Sequence, residues 1–299
     1  MTNQVTPLLS APQATSAALS VGGHTIGYDV AGEGPSVLLL HGFPQTRRAW
    51  RAVLPALAAD HHVIAADLPG YGTSERLGEG ADGFVKRKVA NHLVDFMAEL
   101  GHDRFAVVGH DRGALIAFRA AMDHPDTITH LGVLDIIPTI DNWAALAGPG
   151  GVFAFHLYLL AQPTDLPERM IGADPDTFFG HFLDHWTTVA DSIPQDTREH
   201  YLAHTRSSDA IHAICDDYRA SAFLDTADDL ADQQAGRRLT MPAYAAWQDP
   251  GDIQLPFDPA TIWAAWATDL DTDVISCGHF LPEEASDAVT NGIRRLLAR

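Results

Sequence analysis

The run Ala106-Val107-Val108-Gly109-His110-Asp111-Arg112-Gly113-Ala114-Leu115 constrains the fold more than any other stretch of the chain. β-Branched residues favour a strand up to Val108, and the periodic apolar positions from Ala114 to Met122 favour a helix. A tight G-x-D-x-G turn joins them. Gly109 and Gly113 lack the Cβ atoms that would clash where strand and helix pack closest, so the middle residue is held out over the end of a sheet. That residue is Asp111.

With serine in the middle, such a turn is a nucleophile elbow, and aspartate changes its chemistry. Serine must lose a proton to histidine before it attacks an acyl carbon. A carboxylate is already an anion at pH 7. It can displace a leaving group from a saturated carbon, and activated water then hydrolyses the resulting ester. Halides and strained epoxide oxygens are suitable leaving groups, whereas a serine-type esterase does not fit a chain without a hydroxyl at this position. Read alone, Asp111 could instead cap the helix that follows it.

Composition sets the outer limits. With 299 residues, 46% hydrophobic and 19% charged, the chain can bury a full core as one large α/β domain with an insertion. A formal net charge of -20, from 19 Lys and Arg against 39 Asp and Glu, argues against nucleic acid, which needs a basic surface. The same excess repels anions at long range, so a carboxylate substrate requires a locally positive pocket. The cysteines Cys215 and Cys277 suggest neither a disulfide framework nor a metal motif. No cofactor or metal is expected. Residues 1–20 lack a basic start followed by a long apolar region, and no run is long enough to span a bilayer, so the expected compartment is the cytoplasm. The expected partners are a small-molecule substrate and water, with neither nucleic acid nor membrane; a homodimer is an open expectation.

In chain order, residues 1–18 read as a loose leader rich in Thr, Gln, Ser, Ala and Pro. His24 to Val30 and Val37 to Leu40 read as strands; the second runs into His41-Gly42-Phe43-Pro44-Gln45, where an oxyanion hole is expected. Its two donors would be the backbone N–H groups of Phe43 and Arg112, while His41 fits packing within the loop. Trp50 to Ala58 reads as a helix and His62 to Ala66 as a strand, ending in the turn cluster Asp67-Leu68-Pro69-Gly70-Tyr71-Gly72, whose Asp67 suits a loop-holding role. A long amphipathic helix over Val85 to Leu100 closes at Gly101.

Ile128 to Leu134 makes the next strand and is followed by Asp135, an acid at the carboxyl end of a parallel strand on the same rim as the elbow. Asp135 is the expected orienting acid. Asp249 and Asp252, after the strand Met241 to Trp247, compete for that role, because both placements fit the chain order of nucleophile, acid and histidine. The last strand, Asp273 to Cys277, leads to Gly278-His279-Phe280-Leu281-Pro282-Glu283-Glu284 and a final helix. Among 16 histidines, His279 alone sits at a late strand end beside glycine, which suits a general base. Between Thr139 and about Arg238 the pattern is helical, interrupted by prolines, and reads as a cap over the active-site rim. The expected organisation is a core formed by 19–138 and 239–299, with a helical cap at 139–238.

Taken together, these motifs resemble the α/β-hydrolases, specifically their fluoroacetate (haloacetate) dehalogenase branch. The resemblance covers most of the chain: His41 to Thr46, Asp67 to Gly72, Gly109 to Ala114, Leu134 to Ile136 and Gly278 to Glu284, with the cap segments Leu160 to Pro163 and Asp217 to Ala220. It implies a mostly parallel eight-stranded sheet flanked by helices. It also implies Asp111 as nucleophile, His279 as base and Asp135 rather than Asp249 as acid. Arg112 would bind a substrate carboxylate, His156 and Tyr218 would donate to the leaving halide, and Trp186 would line the pocket.

Two positions depart from the branch. A second arginine is expected four positions after the nucleophile, where this chain has Leu115, and a tryptophan is expected after the halide-binding histidine, where it has Leu157. Half of a bidentate carboxylate clamp and one N–H donor are therefore missing. A leaving group softer than fluoride is expected, in hydrolysis of a small 2-haloacid. The alternative is an epoxide hydrolase in which His156 and Tyr218 donate to the opening ring and the two leucines line an apolar pocket. A third possibility, a ligand receptor on the same fold, is disfavoured by an intact Asp111, Asp135 and His279.

Overall fold

The computed structural model describes residues 13–148, 150–249, 251 and 257–299. Eight strands form one sheet: β1 (Thr15–Val21), β2 (His24–Ala31), β3 (Ser36–Leu40), β4 (His62–Ala66), β5 (Phe105–His110), β6 (Ile128–Leu134), β7 (Ala243–Gln248) and β8 (Leu270–Ile275). Their order across the sheet is β1-β2-β4-β3-β5-β6-β7-β8. β2 runs antiparallel to β1 and β4, and the remaining neighbours are parallel. The central strands read as continuous apolar runs because helices cover both faces.

Of the helices outside the β6–β7 connection, α1 (Val53–Leu57) and α14 (Ser286–Leu297) pack on one face; α2 (Lys86–Glu99), α3 (Arg112–Asp123) and α12 (Pro259–Trp266) pack on the other. The cores divide accordingly. Val37, Leu39, Val63, Ala106 and Val108 meet Trp50 and Leu57, whereas Leu38, Leu40 and Val107 meet Phe96 and Phe118. α14 seats Val289, Ile293 and Leu296 on one stripe, each worth ~1.5–3 kcal/mol by burial. α13 (Leu281–Glu284) is a single turn ahead of it.

Among its described residues, the connection from β6 to β7 has helices as its only regular elements. It holds α4 (Thr139–Ala145), α5 (Gly150–Phe153), α6 (Phe155–Leu160), α7 (Leu166–Gly172), α8 (Pro175–His185), α9 (Gln195–Thr205), α10 (Ser208–Ala220) and α11 (Thr226–Gln234). Among the described residues no helix is long and apolar enough to cross a membrane. Cys215 and Cys277 are buried and unpaired.

Three expectations need correction. The last strand, expected over Asp273 to Cys277, is β8 at Leu270–Ile275, because the chain leaves the sheet two residues before Cys277. The leader was expected to run to residue 18, but Thr15 to Ala18 already pair with Val30 to Gly27 in β1. The single helix expected over Trp50 to Ala58 is instead a 3-10 turn at Arg47–Trp50 followed by α1, with Thr46 capping the turn through its side chain.

Candidate active site

The turn from β5 into α3 puts Asp111 at φ 49° and ψ -117°, outside the ordinary basins of an L-residue. Such a conformation persists only where the surroundings over-determine it. A Cβ on Gly113 would overlap the carbonyls of Leu40 and His41, one on Gly109 would overlap the Gly113 and Ala114 backbone, and one on Gly42 would lie 2.5 Å from Asp111 Cβ. Neighbouring backbone therefore wraps the elbow on several sides and lifts the Asp111 carboxylate over the strand ends. The N–H of Phe43 donates to its Oδ1 at 2.8 Å. The N–H of Arg112, at the head of α3, is one of the donors that has no carbonyl in the helical ladder.

Asp135 follows β6, and His110 of β5 pairs with Leu134 of β6, so both carboxylates leave adjacent strands at one level. Asp135 too has positive φ, at 51°. Its Oδ2 accepts His279 Nδ1–H at 2.6 Å and Gln248 Nε2–H at 2.8 Å, and its Oδ1 accepts the Gln248 N–H at 2.9 Å. The far nitrogen of His279, Nε2, stands 3.9 Å from Asp111 Oδ2 and has no hydrogen-bond partner. Burial opposes ionisation of His279, but the Asp135 hydrogen bond, with the charges of Asp135, Asp111 and Glu284, raises its pKa above the usual 6.5.

The competing acid lies elsewhere. Asp249 is exposed and its Oδ1 accepts the Gly251 N–H at 3.0 Å, as in a local turn. Asp252 lies outside the described residues. Asp67 is buried and takes the backbone N–H groups of Arg47 and Thr73 at 2.8 and 2.9 Å, holding its loop to the β3 turn. His41 accepts from the Leu68 N–H at 3.0 Å, and burial drops its pKa to about 4.

The residues expected from the inserted helices converge on the elbow. His156 of α6 lies with its ring centroid 5.0 Å from Trp186, 5.7 Å from Tyr218 and 5.9 Å from Phe43. Trp186, just after α8, stands edge-on to His279 at 4.8 Å. Burial drops the pKa of His156 to about 3, so the ring is neutral, and its Nδ1 has no partner. Burial, with the nearby Asp111 charge, pushes the Tyr218 hydroxyl well above 10 and keeps it a donor. Leu115 and Leu157 are both buried.

Arg112 does not swing freely. Its Nε and Nη2 donate to both carboxylate oxygens of Asp217 on α10, each at 2.8 Å, and its guanidinium stacks 4.3 Å over the Tyr218 ring. Lys86 Nζ donates to Asp217 as well, at 2.5 Å. Burial opposes charge on Asp217, but Arg112 and Lys86 hold its carboxyl far below the usual carboxylate range.

Residues 35–284 match the alpha/beta hydrolase fold family. The chain is an α/β-hydrolase. Within that family it is 37% identical to a fluoroacetate dehalogenase from a Burkholderia species over 94% of this chain and 92% of the relative. It is 30% identical to a soluble epoxide hydrolase from a Corynebacterium species, strain C12, over 93% and 95%. A solved Pseudomonas aeruginosa protein, proposed to be an epoxide hydrolase, superposes with TM-score 0.90 at 41% identity, covering 98% of this chain and 97% of that one. This α/β-hydrolase therefore belongs to the branch that holds fluoroacetate dehalogenases and epoxide hydrolases.

Several residues around the site were not legible in the sequence. Gln248 adjoins the competing Asp249, yet it is Gln248 that braces Asp135. His110 donates through Nε2 to the His279 carbonyl at 2.7 Å, with burial dropping its pKa to about 4. Asp217 stands out in the sequence only as part of the segment Asp217 to Ala220. Its partner on α3 is 105 residues away, and no local spacing encodes that.

Proposed function

We propose that this α/β-hydrolase cleaves a small 2-haloacid through an ester on Asp111. The observation that carries the reading is the line Asp135–His279–Asp111 with the Phe43 N–H on Asp111 Oδ1. An Asp111 oxygen attacks the carbon bearing the halogen; a C–O bond forms as the carbon–halogen bond breaks, and the halide leaves toward His156 and Tyr218. Water then gives a proton to His279 Nε2 and attacks the carboxyl carbon of the ester. The oxyanion that develops is held by the N–H groups of Phe43 and Arg112, each such donor being worth ~3 kcal/mol. Collapse releases the hydroxy acid and restores Asp111, so that one water and one haloacid give one hydroxy acid, one halide and one proton.

Arg112 Nη1 makes none of the Asp217 bonds and suits one oxygen of a substrate carboxylate. The full-length similarity to a fluoroacetate dehalogenase supports this substrate class. A chloride or bromide fits better than fluoride, because a strongly hydrated leaving group needs the donor that Leu157 does not supply. Leu115→Arg is expected to raise kcat/KM for chloroacetate about tenfold, the worth of one charged hydrogen bond; steady-state kinetics showing no gain would remove the half-clamp argument.

Epoxide opening is the second reading, favoured by the buried Leu115 and by a Tyr218 hydroxyl held protonated beside Asp111. In that case the ring oxygen takes the Tyr218 proton and the product is a diol. The test is the intact mass of a His279→Ala variant after separate incubation with chloroacetate and with styrene oxide. A carboxymethyl adduct is expected; a hydroxyalkyl adduct with the epoxide alone would make the chain an epoxide hydrolase. No adduct with either would sink the covalent mechanism.

A further inference from the structure

Glu284 closes α13, and its carboxylate gathers backbone from two places far apart in the chain. Oε2 accepts the N–H of Gly278 at 3.0 Å and Oε1 that of Phe280 at 3.1 Å, the residues on either side of His279. Oε2 also accepts the N–H groups of Thr188 and Val189 at 2.7 and 2.9 Å and the Thr188 hydroxyl at 3.2 Å. That second segment follows Trp186 directly. Trp186 returns the contact, its carbonyl accepting the His279 N–H at 2.9 Å.

The seam leaves no slack. A Cβ on Gly278 would overlap the Trp186 carbonyl and come within 2.7 Å of Glu284 Oε1 and 2.9 Å of the Thr188 nitrogen. Several N–H donors that would otherwise compete for water converge on one anion, and such charge-assisted bonds are roughly twice as strong as neutral ones. We infer that Glu284 is a positioning residue that locks the His279 loop to the segment carrying Trp186, fixing the imidazole for ester hydrolysis while leaving ester formation to Asp111. Nothing in Glu284 touches the Asp111 carboxylate, so the first step does not depend on it. The second step does, because a base displaced by about 1 Å loses on the order of 100-fold in rate.

This inference rests on the Asp111 ester reading and deepens it. The substrate for the test is whichever of chloroacetate and styrene oxide alkylates the His279→Ala variant. With Glu284→Gln, kcat is expected to fall about 10- to 100-fold. KM should fall in parallel, so that kcat/KM, which reports the irreversible first step, stays within about twofold. The ester should also become visible by intact mass during turnover. An unchanged kcat would overturn the inference; so would an equal loss in kcat and kcat/KM without accumulated ester, which is the signature of general misfolding. The preserved alkylation rate is measured on the same preparation and certifies a folded site. Absence of any adduct in His279→Ala would instead overturn the reading beneath, a result distinguishable because it does not involve Glu284.

Discussion

Replacing Asp111 by alanine is expected to abolish turnover, by on the order of 10⁴-fold or more, since the nucleophile of a covalent mechanism has no understudy. The decisive measurement is mass rather than rate. His279→Ala is expected to accumulate an adduct, and the double variant Asp111→Ala with His279→Ala is expected to accumulate none. Histidines stand close by: the His110 and His279 ring centroids are 4.7 Å apart. An adduct persisting in the double variant, where the His279 ring is gone, would shift the nucleophile to another side chain such as the neighbouring His110. Folding should survive, because the turn is held by the tight approach of Gly113 to the Leu40 and His41 carbonyls rather than by the carboxylate.

The second large effect is expected at Asp135. Asparagine there keeps the shape but turns an amide toward donors, where the carboxylate accepts His279 Nδ1–H and both Gln248 N–H groups. Activity should drop on the order of 10³–10⁴-fold, as when an orienting acid is neutralised in other His-dependent hydrolases. The pH profile should move as well. On the proposed mechanism, ester hydrolysis needs neutral His279, whose pKa is raised chiefly by Asp135 against the pull of burial, so the wild-type rate is expected to climb through a limb above pH 6.5. Without the Asp135 charge, burial dominates and the residual activity should climb at lower pH. Asp249→Asn should leave kcat within about twofold, since that carboxylate holds only a surface turn. The reverse outcome, a silent Asp135→Asn and a dead Asp249→Asn, would make Asp249 the acid.

The elbow, the strand ends and the late histidine could be read from the residues because each is a local signal. Glycine pairs, apolar runs and turn chemistry lie within a few positions of one another, and a fold that carries them has few ways to arrange them. β1 escaped because it is an edge strand: Thr15–Val21 is mostly exposed, and its Thr, Ser and Ala residues resemble those of a loose tail. Glu284 and Gln248 escaped for a different reason. Their partners are backbone N–H groups and a carboxylate brought near only by the finished chain, and nothing in a run of residues announces such a debt. The choice between Asp135 and Asp249 fell in between. Both stand after β-strands; the family resemblance favours Asp135, and the finished fold brings the Asp135 carboxylate to His279 while Asp249 caps a local turn.

The acidic character of the chain also has an address. Asp217 and Asp225 of the inserted segment meet Lys86 on α2. Asp217 also meets Arg112, and Asp229 and Asp232 meet Arg119, both arginines on α3. All of these side chains are buried. The joint between the two parts of the molecule is thus keyed by charge as well as shaped by apolar contact, and removing one side of such a pair strands its partner at a cost of ~3–5 kcal/mol. Evolution can therefore reshape these helices, but not trade them wholesale: a transplanted segment without these carboxylates would arrive as the wrong key, leaving cations stranded in the lock beside Asp111.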